Sequence, residues 1–288
     1  MGTASFTVLT WNLRWMTRGA VRVAAKRDLL SAIDWDVALL QEVGPRAFAS
    51  LSEAFPGGAF AHDLHNSGDR YPHGVAILSR GDVRLVDAHL VPVGDPRPDG
   101  FVQPERALAA TAYVDGRPIT VASWHAPHAA GRSRHEALAR RDQKMRAYRA
   151  ISDWAAGRRH PLVLGGDMNT WADVRSESVL DAAHPFFEEH RFHAAAPVHG
   201  LTDAYRRVIA ASRALGALDD DGRAGAADAH DGTAATYDRG HGGRSIPCRM
   251  DRIYVSDEIA VHDVEHRPLA EARAVGSDHG IVRVRCAV

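Results

Sequence analysis

Short apolar runs that end in a polar residue recur along the chain, and this pattern predicts a set of buried β-strands. The first run, Phe6–Thr10, alternates between apolar and polar positions and is followed by Asn12. The second, Asp36–Val43, is almost continuously apolar but carries Glu42 near its end. A buried charge needs a partner or a metal ion, because an unpaired one is strongly destabilising. Glu42 is therefore a candidate functional residue, and Asn12 is either a ligand or a turn former.

The segment Pro161–Thr170 is the most informative of these runs. Leu162–Leu164 predicts a buried strand, and Gly165 with Gly166 predicts a sharp turn directly after it. Asp167 and Asn169 follow, and the alternation of a strand would project both side chains to the same side. A carboxylate and an amide in one crevice suit metal-assisted phosphate chemistry. The structural alternative is a strand followed by an Asx turn.

Further strands are predicted at Tyr71–Arg80, Val83–Val91, Arg106–Val114, Ile119–Trp124 and Arg249–Val255, and at the C-terminus, where apolar residues alternate with Arg283 and Arg285. Asp115-Gly116 predicts a hairpin turn between two of them. The polar residues beside the ends of these strands are Arg106, His125, Asp251, Asp278 and His279. Taken singly, each has an ordinary structural explanation as a surface or turn residue. Together they form a candidate site.

Amphipathic helices are predicted at Ala20–Ile33, Pro45–Phe55 and His135–Ala156. The third is unusually basic: between His125 and Arg149 the chain has seven basic residues and two acidic ones, a net charge of plus five. The basic residues are Arg132, Arg134, Arg140, Arg141, Lys144, Arg146 and Arg149. This stretch is either a solvated helix face or a track for a polyanion beside His125.

Composition predicts an ordinary globular protein. The chain has 288 residues, of which 45% are hydrophobic and 25% charged, with a formal net charge of minus one. Two cysteines are too few for a disulfide framework or a structural zinc site. No apolar run approaches the length of a membrane span, and the strand predicted from Phe6 leaves no room for a signal peptide. We expect one domain over residues 1–288, a cytoplasmic location, no membrane association and no protein partner.

Seven ordered segments give the chain a resemblance to a known family. They are Thr-Trp-Asn, Leu-Gln-Glu-Val, Gly-Val-Ala-Ile-Leu-Ser-Arg, Ser-Trp-His, Gly-Asp-Met-Asn, Arg-Met-Asp-Arg-Ile-Tyr-Val-Ser and Ser-Asp-His, spread from residue 10 to residue 279. This series resembles the motifs of the endonuclease/exonuclease/phosphatase superfamily, related to deoxyribonuclease I. The resemblance implies an α/β (α+β) fold: a four-layer sandwich of two packed mixed β-sheets flanked by helices, with the site at one end.

The resemblance also implies a role for each candidate residue in hydrolysis of a phosphoester with Mg²⁺ or Mn²⁺. Metal ligands would be Glu42, Asn12 and Asp278. The catalytic residues would be His125, Asp167, Asn169, Asp251 and His279, with Asp167 acting on the attacking water and Asp251 orienting His279. Phosphate would be bound by Arg106, Asn169 and His279.

Three functions are compatible with this sequence. The first is a metal-dependent phosphodiesterase that acts on nucleic acid, with DNA or RNA as the partner. The second is hydrolysis of a small or lipid phosphoester, since the family includes inositol-phosphate and sphingomyelin enzymes. The third is a catalytically inactive binding module, which is disfavoured because every polar residue that the chemistry requires is present.

Overall fold

Two six-stranded mixed β-sheets form the centre of the protein. The computed structural model describes residues 3–14, 20–62, 74–93, 106–131, 133–158, 161–170, 184–194, 197, 199–214, 236–241 and 244–288. The strands in these residues are β1 (Ser5–Asn12), β2 (Val37–Val43), β3 (Ala59–His62), β4 (Gly74–Ser79), β5 (Arg84–Leu90), β6 (Ala107–Val114), β7 (Arg117–His125), β8 (Leu162–Asp167), β9 (Leu201–Asp203), β10 (Tyr237–His241), β11 (Arg244–Cys248), β12 (Asp251–Ser256), β13 (Ala260–His266) and β14 (Val282–Ala287). The helices are α1 (Ala20–Ala32), α2 (Pro45–Ala54), α3 (Arg134–Ala156), α4 (Phe187–Phe192), α5 (Ala204–Ala214) and α6 (Leu269–Ala274).

The two sheets pack face to face and are covered by helices, which gives the predicted four layers. The first sheet has the order β13-β14-β1-β2-β4-β3 and the second β5-β6-β7-β8-β12-β9, while β10 and β11 form a separate hairpin. Strand β8 shows how the layers arise: Val163 lies in the core between the sheets, whereas Leu162 and Leu164 lie in the core beneath α3 and α4. A third core lies between the first sheet and helices α1, α2 and α6.

Strand pairing brings the polar strand ends to one place. Strands β1 and β2 are parallel, and Asn12 pairs with Gln41, the residue before Glu42. Strands β7 and β8 are also parallel, and His125 pairs with Asp167. Strand β12 runs antiparallel to β8, so its first residue, Asp251, pairs with Asp167 as well. Because these strand ends belong to two packed sheets, the candidate residues meet at one end of the sandwich.

Gly165 and Gly166 do not form the predicted turn, and that prediction is wrong. Both lie inside β8, which continues to Asp167. A Cβ on Gly165 would lie 2.7 Å from Leu39 Cδ1 of the other sheet, and a Cβ on Gly166 would lie 1.7 Å from the Trp124 carbonyl oxygen. Glycine is needed at both positions because neighbouring strands of the protein approach closely there.

Most other elements are confirmed with small shifts of their ends. The predicted strands Val83–Val91, Arg106–Val114 and Ile119–Trp124 correspond to β5, β6 and β7. Asp115 and Gly116 form the predicted hairpin turn with positive φ angles of 48° and 79°. Strand β4 accounts for most of Tyr71–Arg80, whose first three residues lie outside the described part. None of the described helices is long and apolar enough to cross a membrane.

Candidate active site

A cavity of about 320 Å³ lies at the end of the sandwich where the polar strand ends meet. Seven of the predicted residues line it: Glu42, Arg106, His125, Asp167, Asn169, Asp278 and His279. The remaining two, Asn12 and Asp251, are completely buried behind this wall. Arg14, His128, Tyr237 and Met250 also line the cavity and were not predicted. The structure thus collects all nine predicted residues in one place.

Glu42 has an unusual backbone conformation. It sits at an irregularity in the pairing of β2 with β4, between Gln41 and Val43, and its φ is +55°. The left-handed region costs a non-glycine residue about 1 to 2 kcal/mol. The bulge turns the Glu42 side chain to the cavity, where it is 14% exposed, although its neighbours in β2 are buried. Such strain often marks a functional position.

Asn12 bridges the two sheets through its side-chain amide. Its Nδ2 donates to Glu42 Oε1 at 3.2 Å and to Asp167 Oδ2 at 3.0 Å. Its Oδ1 accepts from the backbone N–H of Arg14 at 2.8 Å, which is the turn geometry considered as the alternative for this residue. Asn12 therefore forms a turn and also holds two carboxylates side by side.

Asp167 and Asn169 likewise satisfy both explanations offered for them. The backbone N–H of Asn169 donates to Asp167 Oδ1 at 2.8 Å, which is an Asx turn, and Asn169 has a φ of +47°. Both side chains nevertheless line the cavity. Asn169 Nδ2 donates to the carbonyl oxygen of Ala126 at 2.7 Å, which leaves its side-chain oxygen available for another contact.

His279 and Asp251 form a buried pair. His279 Nδ1 lies 2.9 Å from Asp251 Oδ2, so Nδ1 donates and Nε2 lies toward Asp167, 3.8 Å from its Oδ2. Burial lowers the pKa of His279, but the Asp251 and Asp167 carboxylates outweigh it and raise that pKa. Burial also raises the pKa of Asp251, against the influence of His279. His279 therefore keeps a proton on Nδ1, the nitrogen that faces the Asp251 carboxylate.

His125 and His279 both lie near the same oxygen of Asp167. His125 Nε2 is 3.5 Å from Asp167 Oδ2 and 3.9 Å from Glu42 Oε1. The residue is 5% exposed, so these separations lie in a largely dehydrated setting where charge interactions are stronger than in water. On the outer side of the cavity, Arg14 Nε is 3.2 Å from Asp278 Oδ2. Acidic and basic groups thus lie together in the wall of one cavity.

The sequence from residue 9 to residue 279 matches the profile described as "Endonuclease/Exonuclease/phosphatase family". This match covers nearly the whole chain. The chain belongs to that family. Membership makes it an enzyme that hydrolyses phosphoester bonds, and dependence on a divalent metal is typical of the family. No curated protein matches the sequence significantly.

Solved structures with the same fold agree with the family assignment. A humanised TDP2 of D. rerio is 15% identical with a TM-score of 0.64, and the match covers 98% of each chain. TDP2 of D. rerio in complex with a single-strand DNA product is 15% identical with a TM-score of 0.61, and the match again covers 98% of each chain. An endonuclease/exonuclease/phosphatase from Beutenbergia cavernae is 19% identical with a TM-score of 0.62, over 99% of this chain and 72% of that one. At these identities the similarity concerns the fold.

The donor set at the cavity fits the divalent cation that is typical of the family. Ligand atoms of Asp167, Asp251 and His279 lie within 4.8 Å of one another. The facing atoms of Asp251 and His279 are hydrogen-bonded to each other, whereas the Asp167 carboxylate is not part of that pair. Glu42 and Asp278 add carboxylates to the same wall. Oxygen donors of this kind suit Mg²⁺ or Mn²⁺.

The basic residues of α3 are largely paired with acidic neighbours, contrary to a continuous exposed track. Lys144 is 3% exposed and lies 2.7 Å from Glu189, and Arg149 lies 2.5 Å from Glu188. Arg140 pairs with Glu136 at 2.6 Å. Arg141 and Asp142 are also paired, Arg134 and Arg146 are exposed, and Arg132 lies outside the described residues. The interpretation of Lys144 as part of an exposed basic face is wrong.

The four unpredicted cavity residues gave weak signals in the sequence. Arg14 lies two positions after Asn12 of the Thr-Trp-Asn motif, and Met250 directly precedes Asp251, so proximity to a motif was the available clue. His128 lies three positions after His125, and its pKa is lowered by burial and by Arg140. Tyr237 reaches the cavity because it forms an isolated backbone bridge with His279. That contact joins distant parts of the chain, which no local pattern shows.

Proposed function

We propose that this chain is a single-domain phosphodiesterase that depends on Mg²⁺ or Mn²⁺ and hydrolyses phosphodiester bonds of nucleic acid. The observation that carries the proposal is the convergence of three carboxylates, an amide and three histidines on one cavity. A bound divalent ion would neutralise charge that builds up on the phosphoryl oxygens. Glu42, Asn12 and Asp278 would hold it, with Glu42 as the principal ligand. Asn12 would ligate through its Oδ1, so its amide would have to rotate from the arrangement in which Nδ2 faces Glu42.

In this mechanism Asp167 orients the attacking water and accepts its proton. The water oxygen forms a bond to phosphorus in line with the ester bond that breaks. The Asp167 carboxylate is suited to this role because Asn12 and the Asn169 backbone N–H fix both of its oxygens. Asn169, whose side chain lines the same wall, donates the second hydrogen of its Nδ2 to a phosphoryl oxygen of the substrate.

The two histidines act on the phosphate and on the leaving group. His279 donates through Nε2 to a phosphoryl oxygen, since Asp251 holds its Nδ1 and thereby fixes the direction of the ring. His125 lies beside the leaving oxygen and supplies the proton that this oxygen takes up when the ester bond breaks. Arg106, which lines the same cavity, contributes a positive charge to the phosphate.

Nucleic acid is the proposed substrate for two reasons. A structural neighbour binds a single-strand DNA product, and eleven residues line the cavity and can contact a substrate. One observation favours the alternative, a small or lipid phosphoester. The positive charges of Lys144, Arg149 and Arg140 on α3 are paired with glutamates, which weakens the case for a polyanion track beside the site.

A substrate panel separates these functions. Labelled single-stranded DNA, duplex DNA and RNA, a lipid phosphodiester, an inositol phosphate and bis(p-nitrophenyl) phosphate are incubated with Mg²⁺, with Mn²⁺ and with excess chelator. Cleavage of a nucleic acid that stops in chelator supports the proposal. Turnover of only the lipid or inositol phosphoester moves the alternative ahead, and turnover of none of the substrates contradicts a hydrolase.

A further inference from the structure

Two residues of α3 bind the backbone of the turn that carries Asp167 and Asn169. Lys144 Nζ donates to the carbonyl oxygen of Asn169 at 2.9 Å, and Tyr148 Oη donates to the carbonyl oxygen of Met168 at 2.6 Å. Lys144 and Tyr148 are four residues apart, so they lie on the same face of the helix. Consecutive carbonyl groups of the turn are therefore held by consecutive turns of one helix.

The tyrosine contact belongs to a buried chain of hydrogen bonds with a defined direction. Tyr148 Oη is 3.1 Å from His193 Nε2, and His193 Nδ1 is 2.5 Å from Tyr254 Oη. The Tyr148 hydroxyl has one proton, which it gives to the Met168 carbonyl, so it must accept from His193 Nε2–H. Nδ1 then accepts from the hydroxyl of Tyr254. This arrangement requires a neutral His193, and burial lowers its pKa well below the usual value.

The lysine contact uses a charge that is costly to bury. Lys144 is 3% exposed and its ammonium is paired with Glu189 of α4 at 2.7 Å. The other basic residues of α3 reach solvent, whereas Lys144 is buried four residues before the fully buried Tyr148. Because lysine is rarely buried, this position indicates a specific interaction inside the protein. Arg149 offers the contrast: it pairs with the neighbouring Glu188 in the same way, but its side chain is 66% exposed.

We propose that Lys144 and Tyr148 are positioning residues that fix Asp167 and Asn169 at the cavity by holding the carbonyl groups of Met168 and Asn169. Asn169 has a φ of +47°, a left-handed conformation that asparagine tolerates better than most other residues. The two carbonyl contacts hold the turn in that conformation against helix α3. The catalytic consequence rests on the proposed function, in which Asp167 orients the water and Asn169 binds phosphate.

The test compares Lys144→Met and Tyr148→Phe with Arg149→Met. Lys144→Met and Arg149→Met each remove one ion pair between α3 and α4, but only the first removes a contact with the turn. With bis(p-nitrophenyl) phosphate and saturating Mn²⁺, we expect Lys144→Met and Tyr148→Phe to lower kcat by about 10- to 100-fold with KM within about twofold. Arg149→Met should retain the wild-type kcat.

Hydrogen–deuterium exchange gives a readout that needs no activity. The peptide covering residues 165–170 should exchange faster in Lys144→Met and Tyr148→Phe than in the wild type or Arg149→Met, even if the chosen substrate is wrong. A wild type without turnover would thus contradict the proposed function while leaving this readout intact. Unchanged exchange in both test variants, or the same change in Arg149→Met, overturns the positioning role.

A double variant removes the remaining ambiguity about folding. Lys144→Met leaves Glu189 buried without its partner, and this alone can disturb the fold. Lys144→Met with Glu189→Gln restores the charge balance but not the contact with the Asn169 carbonyl. Its kcat should stay as low as that of the single variant. Recovery to the wild-type kcat and exchange rate would show that the ion pair matters and the carbonyl contact does not.

Discussion

His199 makes the stability of the protein depend on pH in a predictable way. The residue is 2% exposed, its Nδ1 accepts from the backbone N–H of Leu201 at 3.0 Å, and its Nε2–H donates to the Phe192 carbonyl oxygen at 2.8 Å. Both nitrogens of a neutral imidazole are thus satisfied. A second proton would have to lie on Nδ1, against the N–H of Leu201. Burial accordingly lowers the pKa of His199 to about 4.

The sign and size of the effect follow from that pKa. Because the pKa in the folded protein lies below the value of about 6.5 for an unfolded chain, the unfolded state binds more protons between these two values. The free energy of unfolding therefore falls as the pH is lowered below about 6.5. At about pH 5 the loss from His199 is 1.5 pH units times about 1.36 kcal/mol, or about 2 kcal/mol.

Urea unfolding at about pH 7 and about pH 5 measures this contribution. His199→Gln removes the titrating group, so the stability difference between the two pH values should shrink by about 2 kcal/mol relative to the wild type. His135→Gln, at an exposed position of α3, is the matched control and should keep the wild-type difference. If His199→Gln loses as much stability on acidification as the wild type, protonation of His199 is not the source of the pH dependence.

Two further predictions concern the site and its support. Asp251→Asn and His279→Ala should each lower kcat by about 10²- to 10⁴-fold, and the double variant should be little worse than the worse single one because the pair acts as a unit; independent multiplicative losses in steady-state kinetics would show that they do not cooperate. Gly166→Ala should lower the free energy of unfolding by more than about 3 kcal/mol, since its Cβ would lie 1.7 Å from the Trp124 carbonyl oxygen. Gly81→Ala, with open space around the Cβ, should cost only about 1 to 2 kcal/mol for its φ of +64°, and equal losses in urea unfolding would contradict the packing argument.

The positions of the site residues could be predicted because burial restricts where polar groups can go. Asp167 and His125 follow apolar strand residues that occupy the core, so their side chains had to emerge at a strand end. Parallel pairing of β7 with β8 then places the two residues beside each other. The sequence offered two alternatives for Asn12, a ligand or a turn former. The structure shows that one side chain can do more than form a turn, since Oδ1 forms the turn while Nδ2 faces two carboxylates.

The features that the sequence did not predict depend on contacts between distant segments of the chain. Gly165 and Gly166 looked like a turn because glycine is common there, but their reason is the approach of Leu39 and the Trp124 carbonyl, which sequence does not show. Lys144 looked like a solvated cation because its partner, Glu189, belongs to another helix. A local charge count treats every basic residue as exposed. Only the packing of α4 on α3 reveals which of them is buried.

The proposed function is metal-dependent phosphodiester hydrolysis at the cavity that contains Glu42. The direct measurement is the initial rate on the best substrate of the panel, taken for metal-stripped protein to which Mg²⁺ or Mn²⁺ is returned stepwise. Wild type and Glu53→Gln, an exposed acid on α2, should regain full activity, while Glu42→Gln should stay at least about 100-fold slower at the same metal concentrations. Full turnover of the wild type in excess chelator, or wild-type turnover by Glu42→Gln, would contradict metal-dependent hydrolysis at this cavity.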